Sequence, residues 1–306
     1  MVKFIAKRLA YCIVVLIGVS LITFLILHLS PGNPARLMLP EGATEEQVRA
    51  MSERLGLNKP LYEQYALYIS GVLRGDLGTS LFYKQPNTKI ILERLPATVQ
   101  LTFAAVFLSL LISLPLGIIA GVKRGSTTDL FSMFLALLGQ SMSPVWLGIL
   151  LIYVLSVKFN LLPPFGYGKI SHLIMPAITL GTPLAAIVTR LTRAGMVDVL
   201  GEDYILATRA KGLPESKVIY RYALKNVMIP VTTVVGIQIG TFLGGAVVTE
   251  QIFGWPGVGR LAVSAIMARD FPLVQAIMLV VSALFVLVNL LVDITYTLLD
   301  PRLKFD

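Results

Sequence analysis

Charged residues are scarce in this chain. Asp, Glu, Lys and Arg make up 14% of its 306 residues and hydrophobic residues make up 56%, whereas a soluble domain carries about 25% charged residues. The single cysteine, Cys12, excludes an internal disulfide and any multi-cysteine metal site. Two histidines, His28 and His172, are too few for a histidine metal cage, so we expect no metal site. The composition indicates a membrane protein.

Six stretches of the sequence contain no Asp, Glu, Lys or Arg and are long enough to cross a membrane. A helix needs about 20 residues to cross a hydrocarbon core of about 30 Å. The stretches are 9–35, 95–122, 130–157, 170–189, 226–249 and 271–292. They predict an all-α, polytopic membrane protein with six transmembrane helices.

The first stretch follows Lys3, Lys7 and Arg8, a layout that signal peptides share. Its apolar part, 9–29, is longer than a signal core and runs into residues 30–32 (Ser-Pro-Gly) without a convincing small-x-small cleavage site. We therefore expect an uncleaved first span.

The distribution of Lys and Arg predicts the orientation. With the N-terminus in the cytoplasm, the inner segments hold fourteen Lys and Arg residues and the two short outer loops hold four. The loop at 30–95 is not counted, because long loops cross largely regardless of charge. Both termini are therefore expected in the cytoplasm, and the net charge of +9 needs no nucleic-acid partner.

These boundaries divide the chain into five parts. We expect a cytoplasmic N-terminus at 1–8, transmembrane helix 1 at 9–29, an extracytoplasmic loop at 30–95, a core with helices 2–6 at 96–300 and a cytoplasmic tail at 301–306. An inner loop at about 193–226 lies within the core.

The outer loop carries two amphipathic helical patterns. Thr44 and Gln47 have the spacing of a capping box. Apolar residues then follow on one helical face, at Val48, Met51 and Leu55. A second pattern starts after Pro60, with Leu61, Tyr65, Ile69 and Val72, and stops at Gly75 and Gly78. Such helices either lie on the outer membrane surface or cap the bundle, and they could also dock an external partner.

The inner loop has a helix–glycine–helix pattern. The helical pattern at 197–211 reaches Gly212, which suits a left-handed helix stop, and Pro214 suits the first turn of the next helix. Two short helices around a glycine would make a compact projection, and the small residues Ala207 and Ala210 would let another protein come close. The alternative is a solvated loop with incidental helicity.

Glycines recur at four-residue spacing in span five, at Gly236, Gly240 and Gly244, and in span two, at Gly117 and Gly121. Small residues at this spacing let helix backbones approach closely. The pattern leaves open whether the partner helix belongs to this chain or to another subunit.

A few polar residues lie at membrane depth in the predicted spans. Such residues usually face protein or a water-filled path. The candidates for a translocation path are Gln140, Ser141, Ser143 and Gln238. Asn289 is also polar, and Asp293 lies toward the inner end of span six. No two acidic residues lie deep together, which disfavours a proton-coupled transporter.

Several motifs of enzymes are missing from the sequence. There is no G-x-x-x-x-G-K-[ST], G-x-S-x-G or H-E-x-x-H. The segment Gly257-Val258-Gly259 has two glycines but lacks the third glycine of a dinucleotide site. We therefore expect no catalytic residues and no ATP bound through a Walker A loop.

The inner loop and both ends of the chain carry more specific motifs. They include 202–204 (Glu-Asp-Tyr), 209–213 (Arg-Ala-Lys-Gly-Leu), 222–226, 31–35 (Pro-Gly-Asn-Pro-Ala), 55–57, 75–78, 250–259, 269–272, 289–293 and 300–302. These motifs resemble those of the dipeptide/oligopeptide permease family, which includes glutathione and nickel systems. They follow one another along the chain in the same order as in that family, and the likeness covers nearly the whole chain. The general permease pattern has Glu-Ala-Ala where this chain has Leu206-Ala207-Thr208.

The resemblance implies the transmembrane subunit of a type I ABC importer in the inner membrane of a bacterial cell. A similar permease would complete a twelve-span pathway, with two ATPase subunits below, which would bind ATP and Mg, and an extracytoplasmic binding protein above. The inner loop would then hold the coupling helix that contacts an ATPase. Its residues would be Asp203, Tyr204, Ala207, Ala210, Lys211, Gly212, Leu213 and Pro214.

The leading interpretation is a permease subunit for short peptides. Within the same family the cargo could be glutathione or nickel as a chelate. A secondary transporter would need broken helices and a buried coupling-ion site, and an intramembrane enzyme would need paired catalytic groups at depth. The sequence fits both of these poorly.

Overall fold

The computed structural model describes the backbone of residues 2–29, 36, 39, 42–54 and 58–299. Side chains are described within these ranges except at 2–7, 9, 26–29, 51, 54 and 293–299. The predicted motifs at 31–35, 55–57 and 300–302, the cytoplasmic tail at 301–306 and the side chain of Asp293 lie outside what is described. The side chain of His28 also lies outside what is described.

The described chain is helical, as predicted. The first helices are α1 (Val2–Leu29), α2 (Glu45–Arg54), α3 (Leu61–Leu73), α4 (Asn87–Val122), α5 (Thr127–Ser141) and α6 (Pro144–Lys158). The later helices are α7 (Ile170–Leu200), α8 (Asp203–Ala210), α9 (Glu215–Leu243), α10 (Val247–Ile252), α11 (Val258–Met267) and α12 (Phe271–Leu299). Within the described ranges the only β-type pairing is an isolated bridge between Thr79 and Pro86.

Helices α4, α7, α9 and α12 are long and apolar enough to cross a membrane, and they coincide with predicted spans two, four, five and six. Helix α1 coincides with the first predicted span, and its apolar described part is Ala10–Leu25. Among the described residues, four helices are therefore long and apolar enough to cross a membrane, or five if α5 and α6 together form one span, so the predicted count of six is not confirmed exactly.

The third predicted span, 130–157, is not one straight helix. Helices α5 and α6 meet at an angle of 102°. Pro144 occupies the first turn of α6, and Ser143 before it has an extended ψ of 133°. Because a proline ring disfavours helical geometry in the residue before it, the helix breaks at this point. The lack of charge in this stretch predicted an apolar span but not its bend.

The described residues within 1–96 and 257–284 form one compact unit. Its apolar core contains Ile90, Ile91, Val258, Leu261, Ala265, Leu273, Ala276 and Ile277. The buried Asp270 caps the start of α12 by accepting hydrogen bonds from the backbone N–H groups of Leu273 and Phe82 and from the Ser80 hydroxyl. The outer segment around Ser80 is thereby fixed to the start of α12.

The outer helices of this unit follow their predicted patterns. Thr44 and Gln47 form the reciprocal capping box at the start of α2, with N···O distances of 3.0 and 3.4 Å. Tyr65 of α3 contacts α1 through a 2.8 Å hydrogen bond with Ser20. Gly75 follows α3 with a φ of +81°, a left-handed geometry that glycine adopts readily.

The described residues within 97–256 and 285–306 form the second unit. Its core is built mainly from apolar residues of α7, α8 and α9, among them Leu184, Val188, Met196, Ile205, Val218, Ala223, Val227 and Val231. Glycines bring α4 close to α7, since a Cβ on Gly117 would lie 2.6 Å from Thr192 Cβ and one on Gly121 would lie 2.5 Å from Met196 Cβ. The inner loop therefore shares one core with the spans on either side of it.

Candidate functional site

The inner loop folds into a projection that we call the inner knob, residues 203–217. It consists of α8, a turn at 211–214 and the first turn of α9. The predicted helix at 197–211 is interrupted, because α7 ends at Leu200 and a turn at 201–202 precedes α8. The second predicted short helix is the start of α9, which runs without a break into span five. The knob is therefore continuous with a membrane span.

The turn of the inner knob depends on Gly212. Its φ is +74°, which L side chains adopt only at a cost, and its N–H donates to the carbonyl of Arg209 at 2.9 Å. Pro214 stands one residue ahead of α9, with its carbonyl accepting from the N–H of Lys217 at 2.9 Å. A Cβ on Gly212 would meet no atom within 4 Å, so the outer side of the turn is open.

An ion pair closes the turn. Arg209 at the end of α8 donates from Nε and Nη2 to the two carboxylate oxygens of Glu215 at the start of α9, at 3.2 and 2.6 Å. These hydrogen bonds raise the pKa of Arg209 and lower the pKa of Glu215 relative to their ordinary values, so both groups are ionised at neutral pH. Two parallel hydrogen bonds fix the planar guanidinium in orientation as well as position, which ties α8 to α9.

The underside of α8 is fixed to span five. The Ile205 side chain is fully buried in the same cluster as Val218 of α9. Tyr204 Oη accepts a 2.7 Å hydrogen bond from Asn226 Nδ2 of α9, and Thr208 is also buried. A displacement of α8 is therefore resisted by apolar packing and by hydrogen bonds on two sides.

The predicted coupling residues lie mostly on the exposed side of the knob. The exposed ones are Asp203, Tyr204, Ala207, Ala210, Lys211, Gly212 and Pro214, and Leu213 is half-buried. Leu206, whose side chain is 54% exposed, belongs to the same surface and was not predicted. The adjacent pair Ile205 and Leu206 is the signal that could have found it, because neighbouring helical residues point about 100° apart.

The predicted path residues fall into two places. Gln140, Ser141 and Ser143 lie together at the break between α5 and α6, and all three are exposed. Gln238 is half-buried within α9. Gln140 has a charged neighbour that the sequence did not predict, because its Oε1 accepts a hydrogen bond from Nη1 of Arg190 on α7.

A second arginine joins the start of α5 to the C-terminal part of α7. Arg193 donates from Nη2 to Asp129 Oδ2 at 2.8 Å and from Nε to the other carboxylate oxygen. Asp129 is 2% exposed and also accepts a 2.9 Å hydrogen bond from the N–H of Gly125. Opposite charges at the inner ends of spans three and four are a sequence signal for this pair.

The glycines of α9 face the last helix of this chain. A Cβ on Gly236 would overlap the Val292 side chain, and one on Gly240 would lie 3.1 Å from the Phe285 ring. Gly244 follows Leu243 as the C-cap of α9. Of the two interpretations of this ridge, these contacts favour packing within the chain for Gly236 and Gly240.

Two family models match the sequence. Residues 113–305 match the "Binding-protein-dependent transport system inner membrane component" family. Residues 1–102 match the N-terminal model of the corresponding membrane component. Together they cover nearly the whole chain.

Curated relatives match over their full length. The dipeptide transport system permease protein DppB of Alkalihalophilus pseudofirmus is 42% identical, with 100% of both chains covered. The protein of the same name from Escherichia coli strain K12 is 40% identical, with 99% of both covered. The glutathione transport system permease protein GsiC of Escherichia coli strain K12 is 41% identical, with 100% of both covered.

Solved structures share the fold. The inward-facing MetNI methionine ABC transporter aligns with a TM-score of 0.59 at 16% identity, over 69% of this chain and 96% of that one. A chain of an amino acid ABC transporter with histidines aligns with a TM-score of 0.50 at 19% identity, over 71% of this chain and 95% of that one.

Proposed function

The chain belongs to the binding-protein-dependent transport system inner membrane components, and from this membership we propose that it is the permease subunit of an ABC importer for short peptides. It pairs with a similar permease to form the path, receives cargo from an extracytoplasmic binding protein and is driven by two separate ATPase subunits. Both termini lie in the cytoplasm. The family predicted from the sequence motifs and the predicted all-α fold class are confirmed.

The cargo assignment is supported by the relatives. Two of them are named dipeptide permeases and one a glutathione permease, at 40–42% identity. Dipeptides and glutathione share peptide bonds and free carboxylates, so a path for either must accept a small zwitterionic or anionic peptide. The alternative cargoes remain glutathione itself and chelated nickel.

The observation that carries the proposal is the construction of the inner knob. One side exposes small and polar residues around an open glycine turn, such as Ala207, Ala210 and Gly212. The knob is fixed to α9 by the buried Ile205 and by the exposed Arg209–Glu215 pair. A partner that moves the exposed side must therefore also move the inner end of span five.

This construction suits the transmission of a conformational change. Coupling between two sites requires a rigid element with two positions that each partner favours differently. When the ATPase subunits close on ATP, they shift the inner knob and tilt α7 and α9, and the path opens outward to accept cargo. ATP and Mg are bound by the ATPase subunits, and this chain contributes no catalytic residue.

The proposal is tested by purifying the tagged chain in a mild detergent and identifying the proteins that accompany it in stoichiometric amounts. We expect a homologous permease and two ATPase subunits carrying Walker A motifs. Reconstituted with the binding protein, the complex should take up labelled dipeptide only when ATP is supplied to the ATPase side. A chain that purifies alone and transports dipeptide without ATP would contradict the proposal.

A further inference from the structure

Arg190 differs from the neighbouring arginine on the same helix. Arg193 binds both carboxylate oxygens of Asp129, whereas the hydrogen bond found for Arg190 goes to the neutral amide of Gln140. Among the described side chains, no carboxylate oxygen lies within 4.0 Å of the Arg190 guanidinium. The Arg190 side chain is exposed within the chain, so its guanidinium is accessible to solvent or to a bound anion.

The direction of the Arg190 side chain is unusual for an arginine at the end of a span. The uncharged stretch 170–189 ends at Arg190, which puts its Cα near the inner boundary of the hydrocarbon. Arginines at such positions usually extend toward the nearer aqueous interface. Side chains on α7 instead lean toward its N-terminus, which is the outer end in the predicted orientation.

The packing of α5 on α7 places the Arg190 head group deeper in the membrane than its backbone. Gly139 faces Thr182, since a Cβ there would lie 3.0 Å from Thr182 Cγ2, and Asp129 at the inner end of α5 pairs with Arg193. Gln140, next to Gly139, is thus on the outer side of Arg190. The guanidinium reaches this amide and so points into the membrane interior, away from the cytoplasm.

A guanidinium at this depth requires water or an anion, because burying an isolated charge in hydrocarbon is too costly. It contacts Gln140, and the polar, exposed Ser141 and Ser143 follow Gln140 in the chain at the break between α5 and α6. The guanidinium has five N–H donors, and the bond to Gln140 uses one of them while holding the group in place. The remaining donors match the two oxygens of a carboxylate.

We propose that Arg190, positioned by Gln140, binds the carboxylate of the peptide as it passes through the inner half of the path. This inference rests on the proposed function. A free carboxylate is common to dipeptides and glutathione whatever their side chains, so one arginine would recognise cargo of many sequences. Lysine at this position would keep the charge but lose the planar pair of donors.

The test compares a free-acid dipeptide with the same dipeptide carrying a C-terminal amide. Each is supplied on saturating binding protein to the complete importer in proteoliposomes, and initial uptake rates are measured for the wild type and for R190Q, R190K and R124Q. The exposed Arg124 lies in another inner loop and is the control. The readout is the ratio of acid uptake to amide uptake.

We expect the wild type and R124Q to prefer the acid by the same ratio. R190Q should lower that ratio about tenfold, the effect of losing one charged hydrogen-bonding partner, and R190K should fall between them. An unchanged ratio in R190Q would overturn the inference, even if uptake of the acid and of the amide both fell equally. Failure of R190Q to assemble, with R190K assembling normally, would assign the arginine to a partner subunit's carboxylate and would likewise overturn it. Failure of the wild type to transport either peptide would instead reject the proposed function.

Discussion

The guanidinium of Arg209 holds the carboxylate of Glu215 through two hydrogen bonds, of 3.2 and 2.6 Å, across the turn at Gly212. Six positions separate the two residues, so they cannot pair within a single helix, where partners lie three or four apart. The pair exists because the turn folds α8 back against the start of α9. It makes the inner knob one body with span five.

Breaking this ion pair should impair transport more than stability. Exposed pairs contribute only about 0.2–1 kcal/mol, so R209Q and E215Q should melt within a few degrees of the wild-type complex. Uptake should fall at least about fivefold, the lower end of usual coupling between sites, because the exposed side of the knob can move without α9. The exchanged variant R209E/E215R should recover part of the loss, and no recovery would indicate that the two residues act separately.

Substitution of Gly212 should separate strain in the turn from contact with a partner. In the turn itself, G212N should be tolerated better than G212A, since Asn adopts left-handed geometry more readily than Ala. G212W should insert at normal membrane levels but abolish uptake, because its side chain fills the open space outside the turn.

Gly125 provides the matched control for Gly212. It also has a positive φ, of +78°, and open space around it, in the turn before α5. G125W should transport normally at equal membrane levels. Normal uptake by G212W would contradict a coupling role for the inner knob.

Removing the first outer helix should weaken docking of the binding protein. Replacing residues 44–57 with a Gly-Ser segment of the same length removes α2 and its capping box while keeping the chain length. We expect less stimulation of ATP hydrolysis by the binding protein in the reconstituted complex, with ATP hydrolysis in its absence unchanged. Full stimulation would mean that α2 only covers the bundle or lies on the membrane.

Breaking the pair between α5 and α7 should destabilise the second unit. D129N leaves Arg193 without its carboxylate at a site where Asp129 is 2% exposed. We expect a loss of about 2 kcal/mol, below the range for fully buried pairs because Arg193 retains some solvent contact. A lower melting temperature in detergent would measure it, with the exposed Asp198 on the same helix as the control in D198N. Equal melting of the two variants would contradict a structural role for the pair.

The sequence predicted the apolar segments because the absence of charge is a local property of the chain. It predicted the capping box of Thr44 and Gln47 because that motif also depends only on local spacing. It did not predict the bend at Ser143, since a single proline within an apolar stretch either kinks a helix or is tolerated, depending on its neighbours. The turn at Gly201 divides α7 from α8 although the apolar pattern continues across it. Pairs such as Arg190 with Gln140 depend on the packing of helices distant in sequence, which no spacing rule supplies.

The most direct test of the coupling claim is photo-crosslinking from a single cysteine on the inner knob. Cys12 is the chain's one cysteine, so C12S provides a background in which K211C or the control K169C, in the loop before α7, carries a maleimide photo-crosslinker. We predict that K211C captures an ATPase subunit in the intact complex, with a yield that changes when ATP is bound, and that K169C captures none. Absence of an ATPase product from K211C, or equal capture from both positions, would contradict the account.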